Sequence, residues 1–191
     1  MKNICVFCGS RMGNQPIYQE VTRALAKSLV ECGFNLVYGG SNIGLMGLLA
    51  DHVMIQGGNV IGVMPQFLAD QEVAHTHLSQ IYLVNSMHER KQKMSELADA
   101  FITLPGGIGT FEEFLEITTW AQLGLHQKPV SLLNTHGYYD LLLQFFNHAI
   151  SQGFFRRETR DLILVENDPE TLCKKLSQYP SYETGFDKYK T

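Results

Sequence analysis

The chain has 191 residues, of which 45% are hydrophobic and 18% are charged. These are ordinary values for one globular domain with a sizeable core, and they exclude a disordered, collagenous or low-complexity chain. The formal net charge of −4 excludes a generic nucleic-acid binder, so local groups must hold any anionic ligand.

The sequence predicts a reduced, cytoplasmic protein. Its first ten residues, MKNICVFCGS, are strand-like at once and lack the apolar stretch of a signal peptide. The uncharged stretch at 32–50 is interrupted by GGSN, a sequence typical of turns, so we do not expect this stretch to span a membrane. Cys5 and Cys8 form a C-x-x-C pair without a second pair, so we expect buried apolar fillers and not zinc ligands.

In chain order, short apolar segments alternate with helical patterns. Strands are predicted at residues 4–7, 36–38, 60–64, 81–84, 101–104, 130–133 and 162–165. Helices are predicted from Pro16 to a stop at Gly33, over 44–56, from Ser86 onward, from the turn at 105–110 to about residue 123, over 138–152 and over 169–176. Residues 65–80 form the longest irregular segment.

Short, wholly apolar strands separated by helices are typical of a parallel sheet that is covered on both faces. With right-handed crossovers, this pattern predicts an α/β fold: a doubly wound, mostly parallel, Rossmann-like sheet. We expect a single nucleotide-binding domain over residues 1–178 and a polar tail over 179–191. Ligands of such sheets bind beyond the carboxyl ends of the strands, so the strand-to-helix turns are the expected site.

Three of these turns are unusual: CGS at 8–10, GGSNIGLMG at 39–47 and PGGIGT at 105–110. The last two are rich in glycine, and we call all three the glycine turns. Glycine lets the backbone come close to a ligand, and the helix N-terminus behind it adds partial positive charge. One such turn alone is explained by tight packing, but several in one sheet favour a phosphate site. The chain has no Walker P-loop, and its first turn lacks the GxGxxG of a dinucleotide site.

Carboxylates follow the third glycine turn. Glu112, Glu113 and Glu116 lie in the first turns of the predicted helix. Thr110 and Glu113 have the spacing of a capping box, which is a structural alternative to a catalytic role. A carboxylate beside a phosphate site is costly unless a cation develops nearby, and the sugar cation of N-glycosidic cleavage is such a cation.

Basic residues open another predicted helix. Arg90 and Lys91 oppose the helix dipole there, which favours an anionic partner, although an exposed basic pair is also common on plain surfaces. His75 and His77 form an H-x-H pair, and two imidazoles alone are weak evidence for a metal, so we expect no metal site there. The sequence offers no cofactor site.

Four motifs of the chain recur together in one known family. PGGIGTFEE at 105–113 fits its P-G-G-x-G-T-x-x-E, and MHERK at 87–91 fits its M-H-x-R-K. YGGSNIGLMG at 38–47 fits its Y-G-G-G-x-x-G-L-M-G except at Ser41, and CGS at 8–10 fits its first turn, with Arg11 where serine is common. Over about residues 2–155 the chain therefore resembles the LONELY GUY (LOG) family of cytokinin riboside 5′-monophosphate phosphoribohydrolases.

The resemblance implies a homodimer that hydrolyses the N-glycosidic bond of adenosine 5′-monophosphates, N6-substituted ones and cytokinin riboside 5′-monophosphates included. The products would be a free base and ribose 5-phosphate. By position, it implies Arg90 and Glu113 as the catalytic residues. The nucleotide contacts that it implies are Gly9, Ser10, Glu72, Arg90, Lys91, Gly106, Gly107, Ile108, Gly109, Thr110, Phe111, Glu112, Glu113 and Thr119.

Three other functions stay open at this point. A non-catalytic carrier of a nucleotide or of molybdenum cofactor would share the fold but would need neither Glu113 nor Arg90. A pyridoxal-phosphate decarboxylase would need a lysine for a Schiff base, and only Lys91 and Lys93 lie near a glycine turn. A protein-interaction module would leave the glycine turns unexplained.

Overall fold

The computed structural model of the protein describes residues 2–70 and 74–179. The strands are β1 Asn3–Phe7, β2 Asn35–Tyr38, β3 Val60–Pro65, β4 Gln80–Val84, β5 Ala100–Thr103, β6 Val130–Leu133 and β7 Ile163–Glu166. The helices are α1 Pro16–Glu31, α2 Gly44–Ile55, α3 Gln66–Ala69, α4 Met87–Leu97, α5 Ile108–Gln122, α6 Asp140–Ser151, α7 Arg157–Asp161 and α8 Pro169–Gln178.

The strands pair in the order β4-β3-β2-β1-β5-β6-β7, and every pairing is parallel. The chain builds one half of the sheet outward from β1 to β4 and then returns to the other side of β1 with β5. This arrangement confirms the doubly wound α/β prediction. The reversal between β1 and β5 opens a crevice at their carboxyl ends, where two of the glycine turns leave the sheet.

Two apolar layers cover the sheet. Leu25 of α1, Leu49 of α2 and Leu172 of α8 belong to the layer on one face. Met94 of α4, Phe114 of α5 and Phe146 of α6 belong to the layer on the other face. Each layer removes apolar surface from water along the whole width of the sheet, which stabilises the strand order that forms the crevice.

Cys5 and Cys8 are buried, as the sequence analysis expects. Because side chains alternate along a strand, Cys5 lies in the layer under α4 and α5, whereas Cys8 lies in the layer under α1 and α2. The two sulfur atoms therefore belong to opposite faces of the sheet and serve packing.

The predicted elements agree with the structure except in three places. The segment 65–80 contains the short helix α3, and the charged stretch after residue 155 contains α7. Helix α6 begins at Asp140 and not at residue 138, because Asn134 Oδ1 accepts a hydrogen bond from Tyr139 N and Asn134 Nδ2 donates one to Asp140 Oδ1. On α6, Phe145 is 62% exposed, whereas Phe146 is buried.

The tail predicted at 179–191 lies outside the described residues except for Tyr179. Within the described part of the chain, none of the helices combines the length and the apolar character that a bilayer crossing requires.

Candidate active site

The three glycine turns meet at one cavity of about 810 Å³. Backbone hydrogen bonds join them: Gly9 N donates to Pro105 O at 3.1 Å, and Leu45 N donates to Gly9 O at 3.0 Å. The turn after β1 therefore ties the turn after β5 to the start of α2. The strand order puts these segments side by side, although they are far apart in the sequence.

The N-terminus of α5 opens into this cavity. Its N-cap is Gly107, which has no side chain to satisfy the first amides, and the first helical bond runs from Phe111 N to Gly107 O. The N–H groups of Ile108, Gly109 and Thr110 precede that bond, and all three residues line the cavity. Free amides and the positive end of the helix dipole together favour an anion such as a phosphate.

The capping-box alternative for Thr110 and Glu113 is wrong. Thr110 is the third residue of α5 and not its N-cap, so its hydroxyl cannot cap the helix. The same spacing does form a cap at α4, where Ser86 Oγ accepts a hydrogen bond from Glu89 N. The carboxylate of Glu113 is therefore free for another role.

Glu113 forms a buried ion pair with Arg90. Arg90 Nη1 lies 2.9 Å from Glu113 Oε1, and the two residues are only 9% and 8% exposed. Arg90 Nε also donates to Val63 O at 3.2 Å. A Cβ atom on Gly39 would lie 2.3 Å from Arg90 Nη2, so the second glycine turn leaves the space that the guanidinium fills.

Burial raises the pKa of the Glu113 carboxyl above its ordinary value, and the charge of Arg90 opposes that rise. A carboxylate with a raised pKa is a stronger base than an exposed glutamate. Burial also raises the pKa of the Cys8 thiol, which lines the same cavity. Cys8 is thus a protonated side chain and does not suit nucleophilic catalysis.

Ten of the residues that the sequence analysis implies as catalytic or nucleotide-binding line the cavity. They are Gly9, Ser10, Gly106, Gly107, Ile108, Gly109, Thr110, Arg90, Glu112 and Glu113. The described structure thus brings together the first turn, the third turn and the charged pair. Their contacts with a nucleotide stay a prediction.

Three further implied residues, Lys91, Phe111 and Thr119, do not line the cavity. Lys91 Nζ lies 2.5 Å from Glu112 Oε1 and 3.0 Å from Glu116 Oε2. The ring of Phe111 packs against Tyr139, with 6.2 Å between centroids, and Thr119 Oγ1 donates to Leu115 O on the exposed side of α5. Glu72 lies outside the described residues.

Sequence relatives identify the family. The chain is 49% identical over 185 residues to the cytokinin riboside 5′-monophosphate phosphoribohydrolase LOG of Oryza sativa subsp. japonica, which covers 96% of this chain and 76% of that protein. It is 46% identical over 187 residues to a cytokinin riboside 5′-monophosphate phosphoribohydrolase of Arabidopsis thaliana, with 98% and 85% covered. The chain belongs to the LOG family. A family model described as possible lysine decarboxylase matches residues 46–176.

Solved structures of more distant proteins share the fold of this LOG-family chain. The structural genomics target TM1055 superposes with a TM-score of 0.71 at 23% identity, covering 94% of this chain and 100% of that one. The molybdenum cofactor binding protein of Rippkaea orientalis superposes with a TM-score of 0.68 at 20% identity, covering 92% and 96%. At these identities the likeness shows the fold alone.

Sequence reasoning missed the apolar wall of the LOG-family cavity, which Leu45, Met46, Met64, Leu68 and Met87 form. Met46 lies in the motif YGGSNIGLMG and Met87 lies in the motif MHERK, so their positions in these motifs could have indicated a place in the site. Leu68 comes from α3, which was not predicted, and no local pattern marks it. Flexible methionine side chains adapt to varied apolar groups, which suits a site for a substituted base.

A second missed feature holds the third glycine turn in place. Tyr138 Oη donates to Gly106 O at 2.6 Å, and Tyr139 Oη donates to Leu104 O at 2.6 Å. The two hydroxyls hold the end of β5 and the start of its turn. Nothing in the local sequence around 138–139 indicates this contact, because it crosses from one strand connection to another.

His75 contacts an acidic side chain from another element of the fold. His75 Nε2 lies 2.9 Å from Asp51 Oδ1 of α2, and His75 N donates to Gly40 O at 2.9 Å. These contacts fasten the irregular segment onto the second glycine turn, which is a structural role.

Proposed function

We propose that this protein hydrolyses the N-glycosidic bond of adenosine 5′-monophosphates, including N6-substituted ones such as cytokinin riboside 5′-monophosphates, to a free base and ribose 5-phosphate. The observation that carries the proposal is one cavity that holds both the uncapped start of α5 and the buried pair of Arg90 and Glu113. Relatives that are 46–49% identical are cytokinin riboside 5′-monophosphate phosphoribohydrolases, which supports the same reaction.

The amides of Ile108, Gly109 and Thr110 bind the 5′-phosphate in this proposal, together with the Thr110 hydroxyl. They require no ionised partner, because the peptide dipoles of α5 already point at the ligand. Binding at this end of the nucleotide places the ribose toward Glu113, one turn further along the same helix. Fixing both reactants in one geometry lowers the barrier by removing translational freedom before the reaction.

Glu113 stabilises the positive charge that develops at C1′ and takes a proton from the attacking water. Oxygen of the water bonds to C1′ while the bond from C1′ to the base nitrogen breaks. The bonding electron pair leaves with the base, which takes up a proton. Since Oε1 of Glu113 accepts from Arg90, its other oxygen is the one that faces water and ribose.

Arg90 holds Glu113 ionised and in place, and its guanidinium keeps further N–H groups for the phosphate or for the leaving base. The planar guanidinium can donate to several acceptors at once, which an ammonium group cannot do in a fixed direction. The neighbouring Val63 carbonyl and the bare Cα of Gly39 orient it.

The cavity does not fit pyridoxal phosphate. Among the described residues, no lysine lines it, so a Schiff base has no partner there. Lys91 Nζ lies between Glu112 and Glu116, and Lys93 Nζ lies 4.8 Å from the ring centre of Tyr82. The contact geometry therefore favours hydrolysis over the decarboxylation that the family model's description suggests.

We expect base release to require the 5′-phosphate and to depend on the base. AMP and its N6-isopentenyl derivative should both release base, while GMP and CMP should react much more slowly, because the apolar methionine wall has no charged group for their polar edges. Chromatography of the free base at equal substrate concentrations measures this. Binding of all four nucleotides without any base release would instead support the carrier alternative.

We also propose that the protein acts in the cytoplasm as a homodimer. Ile108 and Leu115 expose 85% and 42% of their surface on α5, beside the cavity, and a second copy would cover them. Light scattering should then give twice the chain mass of 21.5 kDa. Leu115→Glu should lower that mass to one chain, whereas Leu141→Glu on α6 should leave it unchanged; a wild-type mass of one chain contradicts the proposal.

A further inference from the structure

Arg11 follows the first glycine turn, whose backbone is held by a hydrogen bond and by the close approach of α2. Gly9 N donates to Pro105 O on the third turn. A Cβ atom on Gly44, whose φ is +60°, would lie 2.2 Å from the Ser10 carbonyl carbon and 2.4 Å from Arg11 N. The start of α2 therefore presses against the Arg11 peptide, so the place where its side chain leaves the backbone is well defined.

Arg11 differs from the other charged residues of the cavity in its lack of a described ionic partner. Among the described residues, four with charged side chains line the cavity: Arg11, Arg90, Glu112 and Glu113. Arg90 is bound to Glu113, and Glu112 is bound to Lys91. With the residues that the structure describes, Arg11 forms neither an ion pair nor a side-chain hydrogen bond, and it is exposed. It is the lining cation whose charge no described carboxylate neutralises.

A phosphate dianion in this cavity meets a nearly balanced set of side chains. The amides at the start of α5 carry only partial charges, and both carboxylates repel the ligand. Arg90 keeps N–H groups for a ligand, but its charge is already offset by that of Glu113. A guanidinium that enters from the first turn supplies a full charge and a two-pronged donor without disturbing the buried pair.

We propose that Arg11 binds the phosphate group of the substrate and is a specificity-determining residue that selects phosphorylated over unphosphorylated nucleosides. This inference rests on the proposed function for the identity of the substrate. Arg11 acts on binding and not on the bond that breaks, because the phosphate keeps its charge throughout the reaction. Its contribution therefore belongs to KM and to product affinity, and kcat should be nearly independent of it.

The test compares Arg11→Ser, Arg11→Lys and Arg23→Ser in the full chain. Arg23 is an exposed arginine of α1 that does not line the cavity. Its substitution by serine therefore changes the net charge of the protein by the same amount as Arg11→Ser, but away from the proposed phosphate site. Calorimetry gives the Kd of ribose 5-phosphate, which needs no turnover. Steady-state base release gives kcat and KM for AMP, and the same assay at high concentration gives kcat/KM for adenosine.

For Arg11→Ser we expect both the Kd of ribose 5-phosphate and the KM of AMP to rise about tenfold or more, with kcat changed less than about twofold. Arg11→Lys should fall between wild type and Arg11→Ser, and Arg23→Ser should match wild type. The adenosine reaction should be unchanged, and added salt should reduce the difference in Kd.

An unchanged Kd for ribose 5-phosphate in Arg11→Ser overturns the inference, as does an equal loss with adenosine. If wild type binds ribose 5-phosphate but releases no base from AMP, the proposed function fails while the Kd comparison still decides the role of Arg11. If Arg11→Ser misfolds, Arg11→Gln decides in its place, because glutamine removes the charge but keeps a long polar side chain. An unchanged Kd for ribose 5-phosphate in Arg11→Gln contradicts a charged contact.

Discussion

Replacing Glu113 by glutamine should abolish base release while nucleotide binding survives. Glutamine keeps the size and a hydrogen-bond acceptor for Arg90, but it cannot take a proton from water or stabilise a cation at C1′ with a full charge. A general base contributes about 10²–10⁴-fold to kcat, so the loss should be at least this large. The lost stabilisation of the sugar cation by the glutamate charge should lower kcat further. Base release from AMP and calorimetric binding of AMP measure the two properties separately.

Glu116→Gln is the matched control for this variant. Glu116 lies on the same helix and binds Lys91, and it does not line the cavity. The control should keep most of the activity, because it makes the same chemical change outside the reacting centre. Undiminished base release by Glu113→Gln would show that the catalytic carboxylate is another residue.

Replacing Arg90 by alanine should remove turnover, affinity and stability together. The substitution leaves the Glu113 carboxylate buried without its partner, and breaking a buried pair in this way costs about 3–5 kcal/mol. The pKa of Glu113 should rise further, because burial then acts without the opposing charge of Arg90. Thermal unfolding, AMP binding and base release each measure one of these losses.

The double variant Arg90→Ala with Glu113→Gln separates stability from catalysis. Removing both charges eliminates the unpaired buried carboxylate, so the unfolding midpoint should recover in part while turnover stays absent. Normal saturation kinetics in Arg90→Ala would contradict a role in binding. No recovery in the double variant would mean that Arg90 stabilises the fold mainly through Val63 O and its packing against Gly39.

Local sequence signals were sufficient to predict the strands and helices of the sheet and the position of the third glycine turn. The apolar runs and the helix between each pair follow from side-chain periodicity, which is a property of adjacent residues. The start of α1 at Pro16 and the end before Gly33 also match, because fixed φ at proline and positive φ at glycine are intrinsic to those residues. The predicted start of the helix at 138–152 was less accurate, because the hydrogen bonds of Asn134 that determine this start join residues across a turn.

The charged residues show where local reasoning stops. The spacing of Thr110 and Glu113 in the sequence was compatible with a helix cap. Only the three-dimensional distance between Glu113 and Arg90 shows that Glu113 is the buried ion-pair partner of Arg90. Lys91, adjacent to Arg90 in the sequence, instead contacts Glu112 and Glu116 and does not line the cavity. Neighbouring residues on a helix point about 100° apart, so their side chains reach different surroundings that only the packing of α4 on α5 defines.

The amino-acid sequence by itself determined the class of sheet, the three glycine turns and the residue types that a phosphate and a glycosidic bond require. The tertiary structure alone decided which of these meet. Strand β5 pairs with β1 and not with its sequence neighbour β4, so turns about a hundred residues apart share one cavity. That pairing depends on burying both faces of the whole sheet at once, a cooperative property that no single segment encodes.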